Sequence, residues 1–271
     1  MKAVLFPRLL ACLAALGAAD SALASPLTEF NNATLVADFQ FDDAVGTPIE
    51  STANSVDPLA LWDTDADFGG AATNGSGQFD AAGKNNTEFG TVYVDTPGVT
   101  SGVVYGLFDV SWAFDESVYD AAQDEEFRLS LIQFDPRSTF VTVETFFTRT
   151  SATEVELYGN AVGTGATDTP DLVLGSSGDL LTIVKADLDS SMFELFYSTD
   201  DGATFVSAGA GALDPTRGVE SLRFVLNEDF SNDSLLVERI AYAVVPEPMA
   251  AALVAIGFAA FASTTRRTAG R

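Results

Sequence analysis

Three carboxylates at alternate positions form the pattern in this chain that best suits a metal ion. They are Asp63, Asp65 and Asp67. Hard oxygen ligands of this kind suit Ca2+. Phe68, however, stands where a calcium loop of this spacing needs glycine, and Asn74 stands where its bidentate glutamate would lie. A calcium site and a solvated acidic loop therefore both stay open, and calcium is the only cofactor predicted. A comparable cluster lies at Asn227, Asp229, Asn232 and Asp233.

Composition excludes several classes of catalysis. The 271 residues include no histidine, so a Ser-His-Asp triad, a Cys-His pair and His-ligated zinc cannot come from this chain alone. The single cysteine, Cys12, lies in a segment predicted to be removed. A carboxylate pair spaced for glycoside hydrolysis is almost inevitable among the 37 acidic residues of residues 25–245, so its presence is not evidence for a hydrolase. We predict that the protein is not an enzyme and that no residue is catalytic.

The N-terminus has the three parts of a secretory signal peptide in their usual order. Lys2 and Arg8 make a basic start, and an apolar stretch follows over residues 9–19. Small residues then occupy the positions that signal peptidase reads. Cleavage is predicted between residues 24 and 25, so signal peptidase is an expected partner. The residues of this predicted site are Ala22, Ala24 and Ser25.

The C-terminus carries three features in a fixed order. The tripeptide Pro246, Glu247 and Pro248 is followed by an apolar run over residues 249–262 and then by Arg266, Arg267 and Arg271. As a helix the run would extend only about 21 Å, short of a hydrocarbon core of about 30 Å. The arginines would stay on the cytoplasmic side of a membrane, leaving the body outside. We therefore predict a marginal, transient membrane contact through this short hydrophobic helix.

This order of features resembles the tail of the PEP-CTERM family of exported proteins, over about the last 26 residues. The resemblance implies recognition by a membrane-embedded exosortase and processing near Pro246, Glu247 and Pro248. It also implies a Gram-negative, polysaccharide-producing bacterium, in which the protein passes through an inner-membrane-tethered intermediate to the cell surface or extracellular matrix. It implies nothing about ligand or reaction, because very different bodies carry this tail.

The chain thus divides into a signal peptide (1–24), a body (25–245) and a sorting signal (246–271). The terminal segments hold five basic and two acidic residues, which leaves the body with 8 basic and 37 acidic residues and a formal charge of −29. Such a field repels nucleic acid and favours divalent cations and cationic partners. No nucleic-acid partner is predicted.

The body reads as short apolar stretches separated by small and polar residues, the pattern of an all-β domain. One strand face is predicted to hold Leu35, Ala37, Phe39 and Phe41; another Val104, Phe108, Val110, Trp112 and Phe114; a third Phe127, Leu129 and Leu131. Ten to twelve strands result, without alternating helices. They predict an antiparallel jelly-roll β-sandwich whose core holds most of the phenylalanines.

The opening of the body, Phe39 to Asp43 with Gly46, Thr47 and Asn54, resembles laminin-G or concanavalin-like jelly rolls. Such domains often bind glycans or proteins at loops, sometimes through calcium, but no binding residue transfers by motif. Ser198 to Phe205 fits the pattern called an Asp box, which here predicts a hairpin turning at Asp201 and Gly202.

The leading interpretation is an exported, non-enzymatic β-sandwich that binds polysaccharide or envelope components. The alternatives are a purely structural acidic matrix protein and a carbohydrate-active hydrolase.

Overall fold

The computed structural model describes residues 24–64, 68–122, 125–133 and 140–245. Within these ranges the chain forms one α-helix, fifteen β-strands and three single-turn 3-10 helices. The helix is α1 (Pro26–Asn32). The 3-10 helices span Ile49–Ser51, Ala81–Gly83 and Glu116–Val118. The strands are β1 (Thr34–Phe39), β2 (Asp63–Thr64), β3 (Ala72–Thr73), β4 (Phe79–Asp80), β5 (Gly90–Val99), β6 (Val103–Ala113), β7 (Glu126–Ile132), β8 (Val141–Ser151), β9 (Glu154–Asn160), β10 (Leu172–Gly175), β11 (Ser177–Asp187), β12 (Met192–Ser198), β13 (Val206–Ala212), β14 (Val219–Asn227) and β15 (Ser234–Val245).

The strands form two antiparallel sheets. Sheet A has the order β13-β12-β11-β6-β15-β4-β3, and β1 also pairs with β15. Sheet B has the order β10-β9-β8-β7-β14-β5-β2. Many neighbours in each sheet are distant in sequence, as in a jelly roll, so the predicted all-β sandwich is confirmed. The predicted signal helix and C-terminal hydrophobic helix lie outside the described residues, apart from the final residue of the signal segment.

The core lies between the two sheets and is rich in phenylalanine. The inward faces of β6 and β7 carry the residues that alternation predicts, from Val104 to Phe114 and from Phe127 to Leu131. Phe127 stacks on Phe147 of β8 with ring centroids 4.5 Å apart. The alternation of apolar and polar residues in the sequence predicts this buried face because successive side chains of a strand point to opposite sides.

The first strand departs from its predicted pattern. A β-bulge between Leu35 and Ala37 interrupts the pairing of β1 with β15. Ala37 and Phe39 therefore reach the core between the sheets, while Leu35 packs on the opposite, outer face of sheet A. The prediction of one common face was wrong for Leu35, since a bulge shifts the alternation by one residue.

Helix α1 covers part of the outer face of sheet A and was not predicted. Its Phe30 is fully buried in a small second core with Tyr105 and neighbouring apolar side chains of β6, β11 and β15. Glu29 accepts hydrogen bonds from Lys185 Nζ at 2.5 Å and from Tyr105 Oη at 3.0 Å. Seven residues are too few to show helical periodicity in a sequence. In the described residues, no helix is both long and apolar enough to cross a membrane.

Candidate functional site

The outward face of sheet B carries an organised set of polar and aromatic side chains. Phe127, Leu129 and Leu131 of β7 point into the core, so the intervening Arg128 and Ser130 point outward. Strand register then places outward residues of β14, β8 and β9 beside them in two rows that run across the strands.

We call the first of these the polar row. It consists of Arg223, Ser130, Glu144 and Asn160, which are consecutive partners on β14, β7, β8 and β9. Glu144 Oε1 accepts hydrogen bonds from Arg223 Nη2 at 2.5 Å and from Ser130 Oγ at 2.7 Å. Its Oε2 accepts from Asn160 Nδ2 at 2.8 Å. Glu144 is therefore held by three donors, each on a different strand of the sheet.

Burial makes these charged contacts strong. Glu144 is 1% exposed and Arg223 is 4% exposed. Burial lowers the pKa of the Arg223 guanidinium, while the carboxylate of Glu144 opposes that change. A buried ion pair of this kind contributes to stability when additional hydrogen bonds satisfy its remaining atoms, as Ser130 and Asn160 do here.

We call the second set the aromatic row. It consists of Phe89, Arg128, Phe146 and Tyr158. The guanidinium carbon of Arg128 lies 5.4 Å from the ring centroid of Phe89 and 4.9 Å from that of Phe146. Phe146 in turn stacks on Tyr158 with centroids 4.9 Å apart and ring planes at 21°. The row is a continuous stack that begins just before β5 and ends on β9.

Solvent reaches the aromatic row unevenly. Phe89 is 39% exposed, Tyr158 is half-buried and the side chain of Arg128 is 17% exposed. Burial, together with the nearby carboxylates of Glu126 and Glu144, raises the pKa of Tyr158 to about 12. Its hydroxyl therefore stays protonated at neutral pH and can donate a hydrogen bond.

Arg128 links the two rows. Its guanidinium lies 3.3 Å from Glu126 Oε1 and 3.7 Å from Glu144 Oε2. Within the described part of the chain, no hydrogen-bond partner reaches Arg128 Nε. The face thus combines flat apolar rings, fixed donors and fixed acceptors on rigid strands, which is the chemistry that recognises a ligand with both hydroxyl groups and apolar faces.

The residues predicted to bind calcium are not brought into a site by the described structure. Asp63 is exposed and pairs with Tyr93 at the edge of sheet B, and Asp65 and Asp67 lie outside the described residues. No group of three His, Cys, Asp or Glu side chains suited to a metal occurs among the residues that the structure describes. The calcium site at Asp63, Asp65 and Asp67 stays a prediction.

The second acidic cluster has structural contacts instead. Asp229 accepts a hydrogen bond from the Ser231 amide at 2.7 Å, and Asp233 accepts one from the Asp115 amide at 2.7 Å. Asn54, part of the jelly-roll-like opening, is buried and accepts from the Asp38 amide at 3.1 Å. These side chains therefore organise loops.

The predicted hairpin of the Asp box is confirmed. Asp201 and Gly202 have φ angles of +53° and +82°, the left-handed region that such a turn needs. Asp200 accepts hydrogen bonds from Ser198 Oγ at 2.7 Å and from the Thr204 amide at 2.8 Å. These bonds lower the pKa of Asp200 and tie the turn together.

The processing sites predicted at the two ends border the described body. Ala24 and Ser25 are exposed, and the Ser25 hydroxyl accepts a hydrogen bond from the Thr28 amide at 3.2 Å as the N-cap of α1. Val245, 38% exposed, is the last residue of β15. The other residues of these two predictions lie outside the described residues: Ala22, Pro246, Glu247, Pro248, Arg266 and Arg267.

Comparison with known proteins finds structural neighbours of low identity. The legume lectin-like domain from Entamoeba histolytica aligns over 68% of this chain and 90% of its own length, at 8% identity and a TM-score of 0.44. Arcelin-5, a lectin-like defence protein from Phaseolus vulgaris, aligns over 79% of this chain and 100% of its own, at 9% identity and a TM-score of 0.43. The Ca2+-bound exoplasmic/lumenal domain of VIP36 aligns over 74% and 90%, at 7% identity and a TM-score of 0.48. No protein-family model and no curated protein matches the chain. At these identities the likeness concerns the fold alone.

Proposed function

We propose that this protein is an exported, non-enzymatic β-sandwich that binds polysaccharide on the outward face of sheet B. The observation that carries the proposal is the aromatic row lying beside the polar row. Phe89, which is 39% exposed, offers a ring surface to the C–H faces of sugars, and the partly exposed side chains of Arg128 and Asn160 offer hydrogen bonds to sugar hydroxyls.

The dimensions of the face suit a polymer that crosses the strands. The face spans β9, β8, β7, β14 and β5, which are neighbours in sheet B. Strands lie about 4.8 Å apart, so the face extends about 19 Å across these five strands, enough for roughly three to four pyranose units. An extended stretch of polysaccharide therefore fits the rows better than a single sugar does.

Net charge favours an uncharged stretch of polymer over an anionic one. Arg128 and Arg223 are each paired with carboxylates, Glu126 or Glu144, so neither leaves an uncompensated positive charge. The whole body carries a formal charge of −29, which repels polyanions at long range.

Binding to immobilised exopolysaccharide from the producing bacterium tests this proposal. Phe89→Ala removes an exposed ring of the aromatic row, and we expect it to weaken binding about tenfold. The matched control is Phe140→Ala, because Phe140 is 45% exposed and has Arg217 5.4 Å from its ring centroid, just as Phe89 has Arg128. Equal losses in both variants, or no binding by the unaltered protein, would contradict the proposed face.

Export and sorting form the second part of the proposal. Signal peptidase would cut after Ala24, an exosortase would act near Pro246, and membrane contact through the C-terminal helix would be transient. The protein would then reach the cell surface or extracellular matrix of a Gram-negative bacterium. This is supported by the exposure of Ala24, Ser25 and Val245, which leaves both predicted cuts outside the folded core.

Mass spectrometry of the mature protein from its host tests the processing. We expect an N-terminus at Ser25 and loss of Arg271 in the unaltered chain, and retention of Arg271 when Pro246 and Pro248 are both replaced by alanine. A mature unaltered protein that keeps Arg271 would rule out sorting cleavage.

An acidic matrix protein without a specific glycan ligand is the second candidate, favoured by the charge of −29. It predicts binding of divalent cations over many weak sites and no effect of Phe89→Ala. The same binding experiment therefore separates the two candidates.

A further inference from the structure

Lys84 is a fully buried lysine whose ammonium group is enclosed by oxygen atoms. It is 0% exposed. Its Nζ donates to the main-chain carbonyls of Glu88 at 2.6 Å, Glu228 at 2.7 Å and Asn86 at 2.9 Å, and it also lies 3.2 Å from Asn86 Oδ1. Four oxygens from one side chain and three carbonyls thus replace the water that a charged ammonium loses on burial.

This cage joins two loops that are distant in sequence. Lys84 follows the 3-10 helix Ala81–Gly83 on the connection from β4 to β5, whereas Glu228 lies on the connection from β14 to β15. A second bond runs the other way, from the Phe230 amide to the Lys84 carbonyl at 2.9 Å. Glu228 has a φ of +73°, an unusual angle for a residue with a side chain, and it brings its carbonyl to the ammonium.

The oxygen cage resembles in its chemistry the surroundings of a hard cation. Calcium loops are ordered by carboxylate, amide and main-chain carbonyl oxygens that converge on one divalent cation. Here the oxygens converge on the ammonium group of Lys84, which belongs to the chain itself. The loop around Lys84 is therefore ordered in the same way by a side chain.

The ordered loop leads directly into the aromatic row. Glu88, whose carbonyl accepts from Lys84, is followed at once by Phe89, whose ring contacts Arg128, and then by β5. Asn86 Oδ1 also accepts a hydrogen bond from the Glu88 amide at 3.1 Å. Both the amide and the carbonyl of Glu88 are therefore fixed by hydrogen bonds. The position of the Phe89 ring therefore depends on the cage.

We propose that Lys84 is a positioning residue of the binding face: its ammonium takes the place of a bound metal ion in ordering residues 84–89, so that Phe89 meets Arg128 without any cation from solution. The expected effect of Lys84 on polysaccharide binding rests on the proposed function. Its expected effect on the order of residues 84–89 rests on the oxygen cage alone.

The experiment compares the full chain with Lys84→Met, which keeps the apolar stem and removes the charge. Binding to immobilised exopolysaccharide is measured with and without EDTA. We expect EDTA to leave the affinity of the unaltered protein unchanged, and Lys84→Met to weaken binding about tenfold. A loss of binding in EDTA, or full binding by Lys84→Met, would overturn the proposal.

A double-mutant cycle separates positioning from general stability. If Lys84 acts through Phe89, Lys84→Met adds little to the loss already caused by Phe89→Ala. If it only stabilises the fold, it weakens binding equally in both backgrounds, and the positioning role is wrong.

Amide hydrogen exchange keeps the test independent of polysaccharide. We expect exchange in residues 85–90 to rise at least tenfold in Lys84→Met while β6 and β7 stay protected. This result would support the loop role even if the unaltered protein binds no polysaccharide, in which case only the proposed function fails. Unchanged exchange would refute the loop role. Should Lys84→Met not fold, Asn86→Ala removes one oxygen of the cage and is expected to show the same changes at smaller size.

Discussion

Asp109 gives the sharpest prediction about the pH dependence of this protein. It lies on β6, in the middle of sheet A, on the outer face opposite Leu181 and Arg239. Burial raises its pKa to about 7. The carboxylates of Glu238, Asp179 and Asp201 add to this rise, and the charge of Arg239 opposes it.

The sign of the effect follows from comparison with the unfolded chain, where an aspartate has a pKa of about 3.9. The folded protein holds the Asp109 proton more tightly, so this group contributes stability that is complete below about pH 4 and lost as pH rises through about 7. If this difference in pKa were fully expressed, it would change the free energy of unfolding by about 4 kcal/mol, at about 1.4 kcal/mol per pH unit. Because the Asp109 side chain is only half-buried, solvent screening reduces the figure to about 2 kcal/mol.

Urea unfolding of Asp109→Asn at two pH values measures this effect. We expect the substitution to raise the free energy of unfolding by about 2 kcal/mol at pH 8, where the unaltered carboxyl must be charged, and to change it little at pH 4. Asp171→Asn is the control for net charge, because Asp171 is exposed and precedes β10. An equal change at both pH values, or a less stable variant at pH 8, would refute the reasoning.

Three further substitutions test the packing of the sandwich by urea unfolding. Arg149→Met should cost about 3–5 kcal/mol, because it leaves the buried Glu125 without the guanidinium that lies 2.6 Å away; adding Glu125→Gln should recover much of the loss. Phe30→Ala should cost about 3–5 kcal/mol by emptying the second core under α1, and a cost below 1 kcal/mol would show that α1 does not dock there. Gly178→Ala should cost about 1–3 kcal/mol, since the new Cβ would lie 2.4 Å from the Trp112 ring; an unchanged tryptophan emission spectrum would argue against that contact.

The buried faces of the strands could be predicted from the sequence, whereas the candidate site could not. Phe127, Leu129 and Leu131 reveal their common face because the core accepts only apolar side chains at those positions. Arg223 and Ser130 lie 93 residues apart, and nothing in either local pattern distinguishes them from ordinary solvent-facing polar residues. Only the strand register brings them together.

The burial of Lys84 could not be predicted from the local sequence either. A lysine in a stretch of Gly and Asn reads as an exposed turn residue, because lysine is almost never fully buried without oxygen partners. Its partners here are mainly main-chain carbonyls, one of them 144 residues away, and main-chain atoms leave no mark in a sequence.

The position of β15 constrains when the protein can fold. This strand pairs with β6 along its whole length, and it also pairs with β4 and with β1 from the start of the body. It therefore lies in the interior of sheet A, between β6 and these two strands. A chain made from its N-terminus onward therefore exposes the unpaired edges of β1 and β6 until residue 245 has been synthesised. Sheet A can therefore close only late in synthesis, which favours slow folding.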